Sequence, residues 1–135
     1  MEATLQRLEA SRRRERAQTQ FYRALAVEAE KEGDGPLVER LNALHADEQH
    51  HLSRLTARIL ELGGTVGAEE RSGSGGLELS RWEEEARRRE DGEVEWYEGL
   101  LSEETDGATQ ELFGEILDSE RHHARELGGK WMSAS

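Results

Sequence analysis

Hydrophobic positions along this chain recur at intervals of three and four residues in four separate stretches, a spacing typical of amphipathic helices. We predict helices over residues 3–32, 36–62 and 108–127, and a further helix from residue 80 to the Asp106-Gly107 turn. No stretch shows the alternation of a β-strand, and Val and Ile are few. The pattern therefore predicts an all-α fold.

Short polar segments separate the predicted helices. Gly33 can end the first helix, Asp34 can cap the second, and Pro36 suits its first turn. The segment Ser80-Arg-Trp-Glu83 has the spacing of a capping box and predicts the start of the third helix. We expect Gly128-Gly129 to end the fourth helix.

The stripes that these helices should turn inward are not purely apolar. In the first helix the predicted inward positions are Leu5, Leu8, Glu15, Tyr22, Ala26 and Ala29. In the second they are Leu41, Leu44, Glu48, His51, Leu55, Ile59 and Leu62. In the third they are Leu79, Trp82, Ala86, Glu90, Glu93 or Val94, Tyr97 and Leu101. In the fourth they are Leu112, Ile116, Glu120, His123 and Leu127.

Two Glu-x-x-His motifs, Glu48 to His51 and Glu120 to His123, stand on these stripes. Residues three apart share a helix face, so each motif presents a carboxylate and an imidazole together. A single motif of this kind is most simply a surface coincidence. Two of them, both on inward stripes, favour a metal site.

The motifs belong to an internal repeat. An offset of 75 aligns Glu15 and Tyr22 with Glu90 and Tyr97, and an offset of 72 aligns the two Glu-x-x-His motifs. The chain therefore reads as two copies of a helical hairpin. One hairpin cannot bury its apolar stripe, whereas two packed hairpins form an antiparallel four-helix bundle.

Residues 63–79, rich in Gly and Ser, join the two copies. Fully extended they could reach roughly 55 Å, more than the ~38 Å of a 25-residue helix. We interpret them as a long crossover between two hairpins, 3–62 and 80–127. These parts and a tail, 128–135, form a single domain, 1–135. The alternative is a hinge that lets two chains exchange hairpins.

The inward polar residues give a candidate set of metal ligands: Glu15, Glu48, His51, Glu90, Glu93, Glu120 and His123. Ionised carboxylates buried without partners would cost several kcal/mol each, which two bound cations would offset. Carboxylate and imidazole ligands without thiolate suit iron or manganese. Tyr22 and Tyr97 lie two turns after Glu15 and Glu90, where they could hydrogen-bond groups around the ligands or carry an electron. Ordinary core packing is the alternative for both.

Composition narrows the functional classes. The 135 residues include no Cys, which excludes disulfides, iron–sulfur clusters and thiolate iron sites. The net charge of −12 argues against nucleic-acid binding; an acidic surface could gather cations or simply maintain solubility. No apolar run is long enough to cross a membrane and no signal peptide is evident, so we expect a cytoplasmic protein.

In its motifs the chain resembles the ferritin-like superfamily, and within it the rubrerythrins. The resemblance is carried by Arg14-Glu15 with Phe21-Tyr22, Glu30 to Gly33, Glu48 to His51, Glu90 to Glu93 with Trp96 to Gly99, and Glu120 to His123. It implies a ferritin-like four-helix bundle that holds two iron ions, with manganese as an alternative. It also implies peroxide chemistry in which Glu93 and His51 are exchangeable ligands of one iron.

The resemblance implies an oxidoreductase that reduces hydrogen peroxide or O₂. Rubrerythrins usually carry a rubredoxin domain, which this sequence has no Cys to build, so an external electron donor is expected. We expect Glu48 and Glu120 to bridge the ions and Glu15 and Glu90 to be terminal ligands. The alternatives are a ferroxidase that handles iron for storage or as cargo of a shell, and a non-catalytic helical interaction protein. A homodimer is expected, with exchanged hairpins as its variant.

Overall fold

The computed structural model describes residues 1–67 and 78–130, and within these ranges every regular element is helical. The four main helices are α1 Glu2–Lys31, α2 Gly35–Glu61, α3 Trp82–Glu103 and α4 Gly107–Arg125. A 3₁₀ turn at Leu79–Arg81 precedes α3, and a π-helical turn at Glu126–Lys130 follows α4. The chain divides into two compact units, Met1–Leu79 and Ser80–Ser135. No helix in the described ranges is long and apolar enough to cross a membrane.

The first unit is a hairpin in which α1 packs against α2. Its apolar core consists of Leu8, Phe21, Tyr22, Leu25, Ala26, Ala29, Leu41, Leu44, Leu52, Leu55 and Ile59. The predicted inward stripes are confirmed except at their ends, where Leu5 and Leu62 are only half-buried. Gly33 ends the first helix with a φ of 73°, a left-handed conformation that glycine adopts without steric cost. Asp34 then caps α2 by accepting a hydrogen bond from the backbone N–H of Leu37 at 3.1 Å, as predicted.

Beyond α2, the chain returns to the beginning of α1. Gly64 is close-packed, because a Cβ there would lie 2.8 Å from a side-chain carbon of Leu5 and 3.0 Å from one of Ile59. The buried Arg12 donates a hydrogen bond to the carbonyl oxygen of Gly67 at 3.0 Å. The predicted crossover over 63–79 continues through residues 68–77, which lie outside the described part of the chain, so its role stays a prediction.

The second unit pairs α3 with α4. Its apolar core consists of Trp82, Ala86, Tyr97, Leu100, Leu112, Phe113, Ile116, Leu117 and Leu127. The sequence predicted either Glu93 or Val94 as an inward residue of α3. Glu93 is buried and Val94 is half-buried. The expected inward positions Leu79 and Leu101 are half-buried, whereas Leu100 is buried.

The predicted capping box at the start of α3 is wrong. Ser80 lies inside the 3₁₀ turn and is exposed, and α3 begins at Trp82 with Arg81 at the N-cap position and no side-chain cap. A capping serine must stand just outside the helix with its backbone free of helical geometry, and the preceding 3₁₀ turn removes that condition. Three acidic residues in the first turn, Glu83 to Glu85, instead complement the positive end of the helix dipole.

The turn between α3 and α4 is built on a buried carboxylate. Glu104 is 2% exposed and accepts hydrogen bonds from the backbone N–H groups of Thr105 at 3.2 Å and Asp106 at 3.0 Å. Asp106 in turn caps α4 by accepting from the backbone N–H of Thr109 at 3.1 Å. Two successive acidic side chains therefore satisfy the backbone donors of this turn.

The end of α4 also differs from the prediction. The backbone does not stop at Gly128 but continues as a π-helical turn through Lys130. Among the described residues only Gly33 and Gly63 have a positive φ, so Gly128 does not adopt the left-handed conformation by which glycine ends a helix. Residues 131–135 of the predicted tail lie beyond the described ranges.

Candidate metal centre

The first unit gathers a cluster of three buried ligand-type side chains, Glu15 from α1 and Glu48 and His51 from α2, which we call the N-terminal cluster. The Nδ1 atom of His51 lies 3.2 Å from Oε1 of Glu15 and 3.1 Å from Oε1 of Glu48. Both carboxylates are 0% exposed and the histidine is 5% exposed. One ligand atom from each residue lies within 4.8 Å of those of the other two, a separation that one metal ion could span.

The second unit repeats this arrangement in a C-terminal cluster of Glu90 from α3 and Glu120 and His123 from α4. The Nδ1 atom of His123 lies 3.1 Å from Oε1 of Glu120 and 3.5 Å from Oε2 of Glu90. These three residues are also buried, with ligand atoms within 4.8 Å of one another. Glu93 is buried one turn further along α3.

The two clusters share one geometry. In each, a Glu-x-x-His motif on the second helix of a hairpin meets a Glu from the first helix, and the histidine Nδ1 faces a carboxylate oxygen from both helices. All seven predicted ligands are buried. The structure brings together three in each unit, and Glu93 is buried three residues after Glu90 on α3. Their role as metal ligands stays a prediction.

One buried polar side chain at the N-terminal cluster was not predicted. Gln18, 2% exposed and one helical turn after Glu15, donates a hydrogen bond from Nε2 to Oε2 of Glu48 at 3.4 Å. The internal repeat contains the signal that could have found it. An offset of 75 places Gln18 opposite Glu93, just as it places Glu15 opposite Glu90.

The electrostatics of the N-terminal cluster are visible in the pKa of His51. Burial by itself lowers this pKa, but hydrogen bonds with the carboxylates of Glu15 and Glu48, together with their negative charge, raise it from 6.5 to about 9. Without a metal, the imidazole is therefore protonated at neutral pH. Its positive charge offsets part of the charge of the two carboxylates, as a bound cation would.

Three histidines and the two tyrosines lie outside the clusters, and His45 among them is half-buried. His50 and His122 are exposed, and Nε2 of His122 lies 2.8 Å from a carboxylate oxygen of Glu126. Tyr22 and Tyr97 are both fully buried. Their rings pack against Phe21 and Phe113, with centroid separations of 5.2 and 6.0 Å. These aromatic contacts account for the packing of both tyrosines, and a catalytic role for them stays a prediction.

The donor sets fit a particular kind of ion. Each cluster offers carboxylate oxygens and an imidazole nitrogen, and the sequence contains no thiolate. Such ligands suit non-haem iron or manganese, while soft copper(I) and iron–sulfur clusters require sulfur. The carboxylates can offset the charge of multivalent cations.

Comparison with known proteins agrees with this architecture. The fold is that of ferritin-like four-helix proteins, and the rubrerythrin family profile matches residues 6–129. The chain therefore belongs to the rubrerythrin family, within the ferritin-like superfamily. A search among curated proteins finds none that matches the chain significantly.

Two solved structures illustrate the fold. One is a bacterioferritin from Desulfovibrio desulfuricans whose diiron site was captured in different catalytic states. It is 23% identical, with a TM-score of 0.87 over 94% of this chain and 77% of that one. The other is the bacterioferritin BfrA from Mycobacterium tuberculosis, 21% identical, with a TM-score of 0.84 over 95% of this chain and 83% of that one. They confirm the predicted all-α, ferritin-like fold.

Proposed function

We propose that the two clusters hold a pair of iron ions and that the protein is an oxidoreductase acting on hydrogen peroxide or O₂. The observation that carries the proposal is the duplicated set of buried carboxylates, each paired with a buried histidine on the same helix face. Membership of the rubrerythrin family supports iron as the metal, in preference to the manganese alternative.

The burial of these acids is hard to account for without a cation. Glu15, Glu48, Glu90 and Glu120 are all 0% exposed, and ionised carboxylates cost several kcal/mol each to bury unless their charge is compensated. In the N-terminal cluster, the protonated His51 could compensate only part of this charge. Glu93, at 6% exposed, is a fifth buried acid and stands three residues after Glu90 on α3.

In this proposal each residue type has a defined task. When bound, the iron ions would supply the electrons that reduce peroxide or O₂, and an external donor would replace those electrons. Glu15, Glu48, Glu90 and Glu120 would hold the ions through carboxylate oxygens, and His51 and His123 would hold them through imidazole nitrogens. Buried Tyr22 and Tyr97 would shield the centre from water and could carry an electron.

Glu93 is assigned the role that separates peroxide reduction from simple metal binding, as an exchangeable ligand with His51. Replacing it with Gln removes a charge and keeps the shape of the side chain. We expect Glu93→Gln to retain most of its iron and to lose at least about 10-fold in peroxide-dependent oxidation, measured by stopped-flow absorbance after anaerobic loading with Fe(II).

The exposed Glu95 on the same helix gives a matched control. Glu95→Gln should oxidise iron and consume peroxide at the wild-type rate. Peroxide consumption that is independent of Glu93, or that continues without any reductant, would contradict the peroxidase assignment. Purified protein without bound iron, and without uptake of Fe(II), would remove the metal site altogether and favour a non-catalytic interaction protein.

A second candidate function is iron oxidation for storage or handling, with Fe(II) as the substrate. The likeness of the fold to bacterioferritins and the net charge of −12 favour it. Addition of excess Fe(II) in air distinguishes the two candidates. Oxidation that stops at two irons per chain favours the first, whereas continued growth of an iron mineral favours the second. Light scattering on the same samples would test the predicted homodimer.

A further inference from the structure

Beyond α2 the chain is held against α1 through residues 63–67, which we call the exit strap. The end of α2 is closed by Gly63, whose φ is 82°. The N–H of Gly63 donates to the carbonyl oxygen of Leu60 at 3.0 Å, and the N–H of Gly64 donates to that of Ile59 at 2.9 Å. This pair of bonds is typical of a left-handed glycine at a helix end, and it directs the chain back towards the beginning of α1.

Gly64 makes the first contact between the strap and α1. A Cβ at this position would lie 2.8 Å from a side-chain carbon of Leu5, 3.0 Å from a side-chain carbon of Ile59 and 3.2 Å from the Ile59 carbonyl oxygen. The φ of Gly64 is not positive, so glycine is required here by the close approach and not by the backbone conformation. A side chain at residue 64 would therefore push the strap away from α1.

Arg12 makes the second contact. Its side chain is 7% exposed, its Nη2 donates to the carbonyl oxygen of Gly67 at 3.0 Å, and its Nε lies 3.4 Å from Oε2 of Glu9. A buried guanidinium is stable only when its charge and its donors are satisfied, and the strap supplies one of these acceptors. The internal repeat shows that the local sequence is not the cause of this burial. An offset of 75 aligns Arg12 with Arg87 in two copies of Arg-Arg-Arg-Glu, and Arg87 is exposed.

The strap contact lies close to Glu15, a predicted ligand in the N-terminal cluster. Arg12 precedes Glu15 by about one helical turn, ~4.5 Å along α1, whereas the turn at Gly33 is ~27 Å away along the same helix. The Oε1 atom of Glu15 lies 3.2 Å from Nδ1 of His51 across the hairpin. The turn fixes one end of the hairpin, and the strap contacts the other end, next to this pair of side chains.

We propose that the exit strap closes the open end of the first hairpin and that Arg12, by holding the strap, is a positioning residue that keeps Glu15 at its distance from His51. The strap itself goes beyond the proposed function, whereas the positioning role rests on it, because that role assumes that the N-terminal cluster binds an ion. Once the strap is released, α1 and α2 can separate at this end, and a ligand that is displaced by part of an ångström holds a cation less well.

The first measurement uses the metal-free full-length protein, so its result is independent of metal binding. Backbone nitrogen-15 relaxation should give order parameters of about 0.85 for residues 65–67 in the wild type, as for rigid backbone. Arg12→Met, which keeps an unbranched apolar side chain but removes the charge and the donors, should lower them below about 0.6. Arg87→Met, at the equivalent exposed position of the second half, should leave them at the wild-type values.

A pair of glycine variants tests the strap without altering α1. Gly64→Ala introduces the close contacts described above and should lower the order parameters as Arg12→Met does. Gly67→Ala is the matched control and should behave as the wild type, because its Cβ would lie 3.8 Å from Oε1 of Glu9, an ordinary van der Waals distance, and its φ is not positive. Circular dichroism of each variant shows whether the helices are retained, and Gly64→Ala gives an independent result if Arg12→Met does not fold.

The second measurement is calorimetric titration of the chelator-treated protein with Co(II), a divalent ion that is not oxidised under mild conditions. Arg12→Met and Gly64→Ala should each weaken Co(II) binding about 2- to 30-fold, whereas Arg87→Met and Gly67→Ala should leave it unchanged. A double variant that combines Arg12→Met with Gly64→Ala should be no weaker than the more affected single variant, because both changes release the same strap.

The two measurements separate the strap, the positioning role and the proposed function. Order parameters for residues 65–67 that are below about 0.6 in the wild type, or that Arg12→Met and Gly64→Ala leave unchanged, would overturn the strap. Lower order parameters with an unchanged Co(II) affinity, or additive losses of affinity in the double variant, would overturn the positioning role of Arg12. A wild type that binds no Co(II) would contradict the proposed function, and the order parameters would still decide whether the strap exists.

Discussion

The charge of His51 provides a stability measurement that does not depend on catalysis. In the metal-free protein its pKa is raised to about 9 against burial, by hydrogen bonds and charge from Glu15 and Glu48. A group whose pKa is higher in the folded than in the unfolded chain binds its proton more tightly in the folded chain. Its contribution to stability is complete below pH 6.5 and is lost as the pH rises through about 9.

The size of this contribution follows from the interval between the two pKa values. At roughly 1.4 kcal/mol for each pH unit, the interval from 6.5 to about 9 corresponds to about 3 kcal/mol in the free energy of unfolding. The side chain is 6% exposed, so solvent screens the interaction only weakly. This is a large fraction of the 5–15 kcal/mol that is typical of folded domains.

The assay is urea unfolding of chelator-treated protein at intervals between pH 6 and pH 10. We expect the wild type to lose about 3 kcal/mol more than His51→Gln over this range, because Gln carries no titrating charge. His50→Gln, at the exposed neighbouring position, should follow the wild-type profile. Saturating Co(II) should remove most of the decline, since a metal-bound imidazole is neutral throughout the range.

The reasoning would be refuted if wild type and His51→Gln declined in parallel. Equal slopes would mean that the proton on His51 does not stabilise the folded state and that the carboxylates of Glu15 and Glu48 are compensated by other groups. A steeper decline in His50→Gln than in the wild type would indicate that the variants alter the helix itself.

Two further predictions concern the turns. Glu104→Ala removes the buried acceptor of two backbone N–H groups and should lower the free energy of unfolding by about 1–3 kcal/mol. The exposed neighbour Glu103→Ala should change it by less than ~0.5 kcal/mol. Asp34→Ala removes the cap of α2 and should cost about 1 kcal/mol. Urea unfolding measures all three variants; a cost for Glu104→Ala no greater than that of Glu103→Ala would contradict the capping role.

Most of the fold could be predicted from the sequence because its signals are local. The stripe from Leu41 to Ile59 on α2 is buried as the helical repeat predicts. Gly33 and Asp34 perform the turn and capping roles that their residue types favour, and these roles depend on only a few neighbouring backbone groups.

The errors occurred where tertiary packing or an adjoining element decides the outcome. Ser80 has the spacing of a cap, but the 3₁₀ turn includes it. Gly128 is of the residue type that most often ends a helix, but its φ is not positive and the chain continues as a π-helical turn. Near the end of α3 the hydrophobic periodicity could not distinguish Leu100 from Leu101, because both are leucines. They differ by only one residue, which is about 100° around the helix.

The candidate site could be predicted from the sequence because the internal repeat contains the Glu-x-x-His motif twice. All seven predicted acids and histidines are buried. The raised pKa of His51 could not be predicted, because it depends on distances of 3.1 and 3.2 Å to carboxylates from two helices. Gln18 was not predicted, because a single glutamine on a helix does not indicate a metal site. Its alignment with Glu93 in the internal repeat could have indicated its position near the cluster.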